Sequence, residues 1–164
     1  MAPAAKVVTV SDSVAAGTAV DRSGPAVVEL LTAAGFSVID RLTVPDGEGP
    51  VADILRRAAE GFAGLVVTTG GTGFAPRDRT PEATVAVVDR PAPGLAEAMR
   101  AVSPRGRLGR GTAGTLGSCL ICNLPGSPAG ATESLAAVLD VLPHALELLA
   151  GGDPHPHGPA VSAP

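Results

Sequence analysis

The sequence has almost no aromatic side chains: its 164 residues include three Phe, no Trp and no Tyr. Its formal net charge is −4, so basic residues do not outnumber acidic ones. Proteins that bind nucleic acid usually carry a basic face, or aromatic side chains on which bases stack. Because the sequence has neither, we expect no nucleic-acid partner.

Long apolar runs are also missing. No stretch of the sequence approaches the roughly 20 consecutive apolar residues that a helix needs to cross a bilayer. The first residues lead directly into a strand-like segment, without the apolar region and cleavage context of a secretory signal. We therefore expect no membrane partner and a cytoplasmic location.

Cysteine occurs only twice, as Cys119 and Cys122. This C-x-x-C spacing is typical of redox and metal sites. Here, however, it lies in the apolar run Cys-Leu-Ile-Cys, which indicates a strand, and residues three apart on a strand face opposite sides. A structural role as two small buried residues is therefore favoured over a redox or metal role.

The length suits a single domain, which we assign to residues 1–150. Residues 151–164 are rich in Gly, Pro and His, a composition typical of a disordered chain end. His155 and His157 are candidate metal ligands in this tail, but disorder is the favoured interpretation.

The first half of the chain has a strand-helix-strand pattern. Short apolar runs predict strands over residues 6–10, 36–44 and 65–69. Between them, apolar residues recur at helical spacing, with Ser23 as the expected N-cap of the first helix. Such units form parallel sheets with right-handed crossovers, so the pattern predicts an α/β fold with a mostly parallel sheet.

The second half is less regular. Residues 85–88 fit the end of a helix or the start of a strand, and residues 94–101 fit a short helix. Residues 112–124 indicate β structure with a turn at Gly117, and a helical region follows from Ser127.

A glycine turn follows the third predicted strand. Gly70, Gly71 and Gly73 can bring backbone N–H groups close to a ligand, and Arg77-Asp78 and a helix start with Thr80 as N-cap come next. A strand, glycine turn and helix N-terminus together can bind an anion. A ligand-free tight turn is the alternative, but such a turn needs no charged pair.

Three aspartates lie at or just beyond predicted strand ends: Asp12, Asp46 and Asp78. Ligands of parallel sheets bind outside the carboxyl ends of the strands, so these carboxylates are expected along one edge. Each one alone is more often a turn or cap residue. A second strand, turn and helix start, at Pro125-Gly126-Ser127, strengthens the prediction of a binding site.

Residues 103–111 form a basic stretch that contains Arg105, Arg107 and Arg110. A solvated loop is the slightly favoured interpretation of such a stretch, and an arm that contacts phosphate is the alternative.

Taken together, these segments resemble the MoaB/Mog family of molybdenum cofactor biosynthesis proteins, whose members include molybdopterin adenylyltransferases. The resemblance runs in order over residues 6–149. It rests on Val10-Ser11-Asp12, Pro45-Asp46, Thr68 to Gly73, Pro76-Arg77-Asp78, Thr80 to Ala83, Pro93 to Arg100, and Asn123 to Pro128.

The resemblance implies a three-layer α/β/α fold and a homo-oligomer, a trimer or hexamer. It also implies the reaction of ATP with molybdopterin to give adenylylated molybdopterin and pyrophosphate, with Mg²⁺ as cofactor. Asp46 and Asp78 would then be the catalytic and Mg²⁺-binding residues. The expected molybdopterin- and nucleotide-binding residues are Ser11, Asp12, Gly70, Gly71, Thr72, Gly73, Arg77, Pro125, Gly126 and Ser127. Arg77 or Arg110 would add positive charge.

The sequence departs from the family pattern at a few positions. Gly47 stands where a second acidic residue often follows the aspartate, Arg79 replaces an apolar residue, Gly109 a common Ser, and Ala129 a common Lys. The departures at Gly47 and Ala129 keep one alternative open, a molybdopterin-binding or scaffold protein without turnover. A further alternative is a different α/β nucleotide-binding enzyme that shares only the glycine turn.

Overall fold

The structure is a computed structural model, and it describes residues 1–152. The predicted tail beyond Gly152, with His155 and His157, lies outside the described residues. Among the helices of the described part, none combines the length and the apolar character that a bilayer crossing requires.

Six strands of residues 1–152 form one sheet in the order β2-β1-β3-β6-β5-β4. The strands are β1 (Ala4–Val10), β2 (Ser37–Val44), β3 (Gly64–Thr69), β4 (Arg90–Pro91), β5 (Ala113–Leu116) and β6 (Cys119–Leu124). β2, β1, β3 and β6 pair in parallel, whereas β5 runs antiparallel to both β6 and β4. The prediction of a mostly parallel sheet is confirmed.

Helices cover both faces of this sheet. They are α1 (Asp12–Ala15), α2 (Ser23–Ala33), α3 (Glu48–Ala59), α4 (Thr80–Val87), α5 (Pro93–Ala101), α6 (Pro128–Ala136) and α7 (Leu142–Leu149), with a 3₁₀ helix at Pro104–Leu108. Buried side chains of α2, α5, α6 and α7 pack on one face, and those of α3 and α4 on the other. The three-layer α/β/α architecture is therefore confirmed, and the undecided residues 85–88 include the end of a helix.

Two of the predicted helix caps are wrong, for a common reason. Ser23 and Thr80 are the first residues of their helices, and neither hydroxyl caps its own helix. The Ser23 hydroxyl pairs instead with that of Thr69, and Thr80 Oγ1 donates to the Gly70 carbonyl at 2.9 Å. Both hydroxyls thus fasten a helix start to the end of β3. The Ser127 cap is confirmed, since its Oγ accepts from the N–H of Gly130 at 3.1 Å.

The two cysteines lie on opposite faces of β6, as predicted. Cys119 packs with the core beneath α3 and α4, and Cys122 packs with the core on the other face. Both thiols are free and buried, and this burial raises the pKa of each to about 12. Only the thiolate attacks electrophiles, so neither cysteine is prepared for covalent chemistry.

We expect both thiols to resist an aromatic disulfide reagent at about pH 8, where a free thiol reacts readily. Denaturation exposes β6, so two thiols per chain should then react at once. The measurement is the absorbance of the released thiolate before and after denaturant is added, with glutathione as the reactive control. Rapid labelling of either cysteine in the native protein would contradict the burial described here.

Candidate functional site

The loops after β1, β2, β3 and β6 meet at the carboxyl edge of the sheet. These four strands are parallel, so their carboxyl ends point the same way, and Ser11, Asp46, Gly70 and Pro125 follow them. In open α/β sheets this edge is where ligands bind. The sequence prediction of one shared edge is met by the topology.

The glycine turn is packed directly against its neighbours. Gly70 and Gly71 have φ values of +101° and +66°, which favour glycine. A Cβ on Gly70 would lie 2.2 Å from the Val10 carbonyl oxygen, and one on Gly71 would lie 2.3 Å from Thr80 Oγ1. Glycine is therefore required here by the packing itself, whether or not a ligand binds.

Asp12 and Asp46 hold the ends of β1 and β2 together. The N–H of Asp12 donates to Asp46 Oδ2 at 2.8 Å, and the N–H of Asp46 donates to Asp12 Oδ1 at 3.1 Å. Arg77 donates from Nε to Asp12 Oδ2 at 2.5 Å and from Nη2 to the Asp46 carbonyl at 2.7 Å. The hydrogen bond from Arg77 lowers the pKa of Asp12, which therefore stays ionised. The hydrogen bonds from Asp12 and Arg77 thus fix the orientation of Asp46.

Asp46 and Asp78 each leave one carboxylate oxygen without a protein partner within residues 1–152. Asp46 Oδ2 is bound as above, and Asp78 Oδ2 accepts from the N–H of Ala75 at 3.0 Å. Asp46 Oδ1 lies 3.2 Å from the position that a Cβ on Gly71 would take, so it faces the glycine turn. Both aspartates are thus positioned by the backbone and still have an oxygen for a ligand.

Two cavities adjoin at this edge, with volumes of about 640 Å³ and 410 Å³. Gly71, Asp78 and Gly126 line both of them and form their common wall. Asp46, Ser11 and Gly70 line the smaller cavity.

The larger cavity is lined by the remaining predicted site residues, apart from two. Thr72, Gly73, Pro125 and Ser127 line it. Asp12 and Arg77 line neither cavity. The structure therefore brings the predicted residues together and gives Asp12 and Arg77 a supporting position behind Asp46.

Arg110 holds the loop that carries Asp78. Its guanidinium donates to the Gly73 carbonyl at 2.8 Å and to the Asp78 carbonyl at 2.6 Å, and it pairs with Glu82. The hydrogen bond from Arg110 lowers the pKa of Glu82, so this pair stays charged. The sequence offered Arg77 or Arg110 as a source of positive charge for the ligand, and both guanidinium groups donate to protein acceptors. Sequence spacing gave no signal of the Arg110 partners, which lie within residues 73–82, far from Arg110 in the chain.

Asn123 is a site residue whose role the sequence did not reveal. It is 2 % exposed, and its amide donates to Thr68 Oγ1 at 3.1 Å and to Thr84 Oγ1 at 2.9 Å, while its Oδ1 accepts from the N–H of Thr112. These bonds fix the end of β6 to β3 and α4. The only sequence signal was a polar residue near the end of an otherwise apolar strand.

Arg79, one departure from the family pattern, contacts the residue that follows another departure, Gly47. Arg79 Nη2 donates to Glu48 Oε2 at 3.2 Å, and both side chains are about half exposed. Glu48 is the acidic residue that directly follows Gly47. An exposed pair of this kind contributes little stability, but it links the start of α3 to the start of α4.

Comparisons with known proteins identify relatives of this chain. A family model described as "Probable molybdopterin binding domain" matches residues 6–144. The molybdopterin adenylyltransferase of Escherichia coli K12 is 37% identical over 164 aligned positions, which cover 88% of this chain and 84% of that protein. A molybdenum cofactor biosynthesis bifunctional protein of Synechococcus elongatus is 37% identical over 91% of this chain, which spans only 48% of that protein's length.

Solved structures show the same relationship. The molybdopterin biosynthesis enzyme MoaB of Thermus thermophilus superposes with a TM-score of 0.85 at 48% identity and covers 91% of this chain, which in turn covers 97% of that structure. The family model and the full-length relatives agree over nearly all of the described residues. The chain therefore belongs to the MoaB/Mog family of molybdenum cofactor biosynthesis proteins, the family of the molybdopterin adenylyltransferases.

Proposed function

We propose that this chain is a molybdopterin adenylyltransferase. A phosphate oxygen of molybdopterin attacks the α-phosphorus of ATP, the bond from that phosphorus to the β-phosphate oxygen breaks, and pyrophosphate leaves. The observation that carries the proposal is the pair of cavities with a common wall of Gly71, Asp78 and Gly126. Substrates bound in the two cavities would have their reacting phosphates close together where these three residues line both cavities.

The charges of the lining residues indicate which substrate binds in which cavity. The smaller cavity is lined by Asp21, Asp46 and Asp78, with Arg22 as its one cation among the described residues. Such a surface repels free phosphate but accepts a triphosphate whose charge is offset by a divalent cation. ATP with its cation is therefore assigned to the smaller cavity, and molybdopterin to the larger one.

The residues present fit Mg²⁺ that arrives with the nucleotide. No group of three or more His, Cys, Asp or Glu side chains in residues 1–152 is arranged to hold a metal, so the described residues offer no closed cage. Mg²⁺ is commonly bound by one or two carboxylates together with substrate phosphates and water. Asp46 and Asp78, each with one unpartnered oxygen, would hold it, and bound Mg²⁺ would supply charge that stabilises the leaving pyrophosphate.

The protein's own contribution is positioning. Both substrates are anions, so the reaction needs alignment and electrostatic stabilisation more than covalent help. Backbone N–H groups at the glycine turn and at the start of α6 are suited to phosphate oxygens. The buried cysteines, with their raised pKa, are unsuited to act as nucleophiles.

Two further properties belong to the proposal. We expect a homo-oligomer of three or six chains, which light scattering after size-exclusion chromatography measures directly. We also place the protein in the cytoplasm, where ATP is available, and fractionation of cells tests this location.

The direct test is to mix the purified protein with molybdopterin, ATP and Mg²⁺ and to look for adenylylated pterin by mass spectrometry. Reactions without ATP, or with a chelator, are the controls. Tight molybdopterin binding without ATP-dependent product would instead support a scaffold protein. ATP binding without molybdopterin binding would support a different nucleotide-binding enzyme.

A further inference from the structure

Among the described residues, the larger cavity is lined by one cation whose side chain has no protein partner. Its charged lining residues are Asp78, Arg100, Arg105 and Glu133. Arg100 donates from Nη1 to the Gly111 carbonyl at 2.6 Å, which ties it to the chain leading into β5. The Arg105 side chain is exposed and makes no hydrogen bond or ion pair within residues 1–152.

The backbone that carries Arg105 is held firmly against α5. The N–H of Arg105 donates to Ser103 Oγ at 3.2 Å, and the N–H of Gly106 donates to the Ser103 carbonyl at 2.8 Å. A Cβ on Gly106 would lie 1.7 Å from the Arg100 carbonyl oxygen, so the 3₁₀ helix Pro104–Leu108 packs in direct contact with the end of α5. Arg105 is therefore presented to the cavity by a fixed turn.

Arg107, on the same 3₁₀ helix, provides an internal comparison. Its Nε donates to the Pro104 carbonyl at 3.1 Å, and it does not line the cavity. Both arginines are exposed, but only Arg105 reaches the cavity. On the α6 side of the same cavity, Ala129 contributes no charge.

We propose that Arg105 binds the phosphate monoester of the substrate in the larger cavity, which is molybdopterin if the proposed function is right. A guanidinium can donate two parallel hydrogen bonds to phosphate, and Arg105 has all its donors available for this. The inference rests on the proposed function for the identity of the substrate. If Arg105 binds phosphate, residues 103–111 are an arm that contacts phosphate and not merely a solvated loop.

The test is the affinity of Arg105→Ala for molybdopterin, measured by pterin fluorescence without ATP, so that turnover is not needed. We expect the Kd to rise about 10-fold or more, since a charge-assisted hydrogen bond is lost. The affinity should also depend less on salt, whereas the KM for ATP should not change. Arg107→Ala should bind like the wild type in every assay.

A second variant tests whether the loss of affinity comes from the missing positive charge or from a structural change. Arg105→Ala combined with Ala129→Lys places a cation back on the cavity lining, so it should recover most of the lost affinity. Unchanged binding by Arg105→Ala, or equal loss in Arg107→Ala, would overturn the role of Arg105 while leaving the adenylyltransferase proposal intact. Normal molybdopterin binding without adenylylated product would overturn that proposal alone. Absence of molybdopterin binding by the wild type would overturn both.

Discussion

Replacing Asp78 with asparagine should reduce Mg²⁺-dependent pyrophosphate release by about 10²–10³-fold, the usual cost of removing one electrostatic group from a reaction centre. Asp78 lines both cavities, and its second carboxylate oxygen has no partner within the described residues. The amide oxygen of asparagine can still accept from the N–H of Ala75, so the loop should keep its shape. We expect the free energy of unfolding to change by less than about 1 kcal/mol.

The matched control for this substitution is Asp53→Asn. Asp53 is exposed on α3 and contacts only Arg56, at 3.4 Å, so the same chemical change there should leave turnover unaffected. Coupled-enzyme measurement of pyrophosphate gives the rate, and urea unfolding gives the stability. Undiminished pyrophosphate release by Asp78→Asn would remove Asp78 from the reaction centre.

Replacing Gly70 with alanine should destabilise the protein by about 3 kcal/mol or more, because overpacking and left-handed strain add together. The φ of Gly70 is +101°, and the new Cβ would lie 2.2 Å from the Val10 carbonyl. That carbonyl belongs to the neighbouring strand and cannot move without disturbing β1. Turnover should also fall, because the turn would shift away from both cavities.

The substitution Gly17→Ala separates the effect of overpacking from the effect of a positive φ. Gly17 also has a positive φ, +73°, but a Cβ there would meet no atom within 4 Å. Gly17→Ala should therefore lower the free energy of unfolding by only about 1 kcal/mol, the cost of a left-handed backbone conformation in a residue with a side chain. Urea denaturation measures both variants, and equal losses would show that the close approach of Gly70 to β1 does not exist.

The layered fold could be predicted because the spacing of apolar residues indicates which side of each strand or helix is buried. The residues of β3 are buried on both faces, and the helical spacing of Val51, Ile54 and Leu55 marks the side that packs on the sheet. Short elements left no such signal. α1 has four residues and β4 has two, and β4 is positioned by pairing with β5. Structure that depends on distant contacts of this kind does not show in local spacing.

The grouping of the candidate site residues was also predictable. Aspartates after parallel strands must share an edge, so Asp46 and Asp78 could be grouped before any distance was known. Their supporting partners could not, because hydrogen bonds such as those from Arg77 to Asp12 and from Arg110 to Asp78 join residues far apart in the chain. Ser23 and Thr80 illustrate the same limit, since a hydroxyl at a helix start can bind a neighbouring strand instead of its own helix.

The common wall of Gly71, Asp78 and Gly126 has a consequence for the end of the catalytic cycle. Under the proposed function, the adenylylated product would join both ligands covalently, so it would occupy both cavities at once and bind with an avidity that neither substrate has alone. We therefore expect this product to compete with both substrates, and its release to limit turnover.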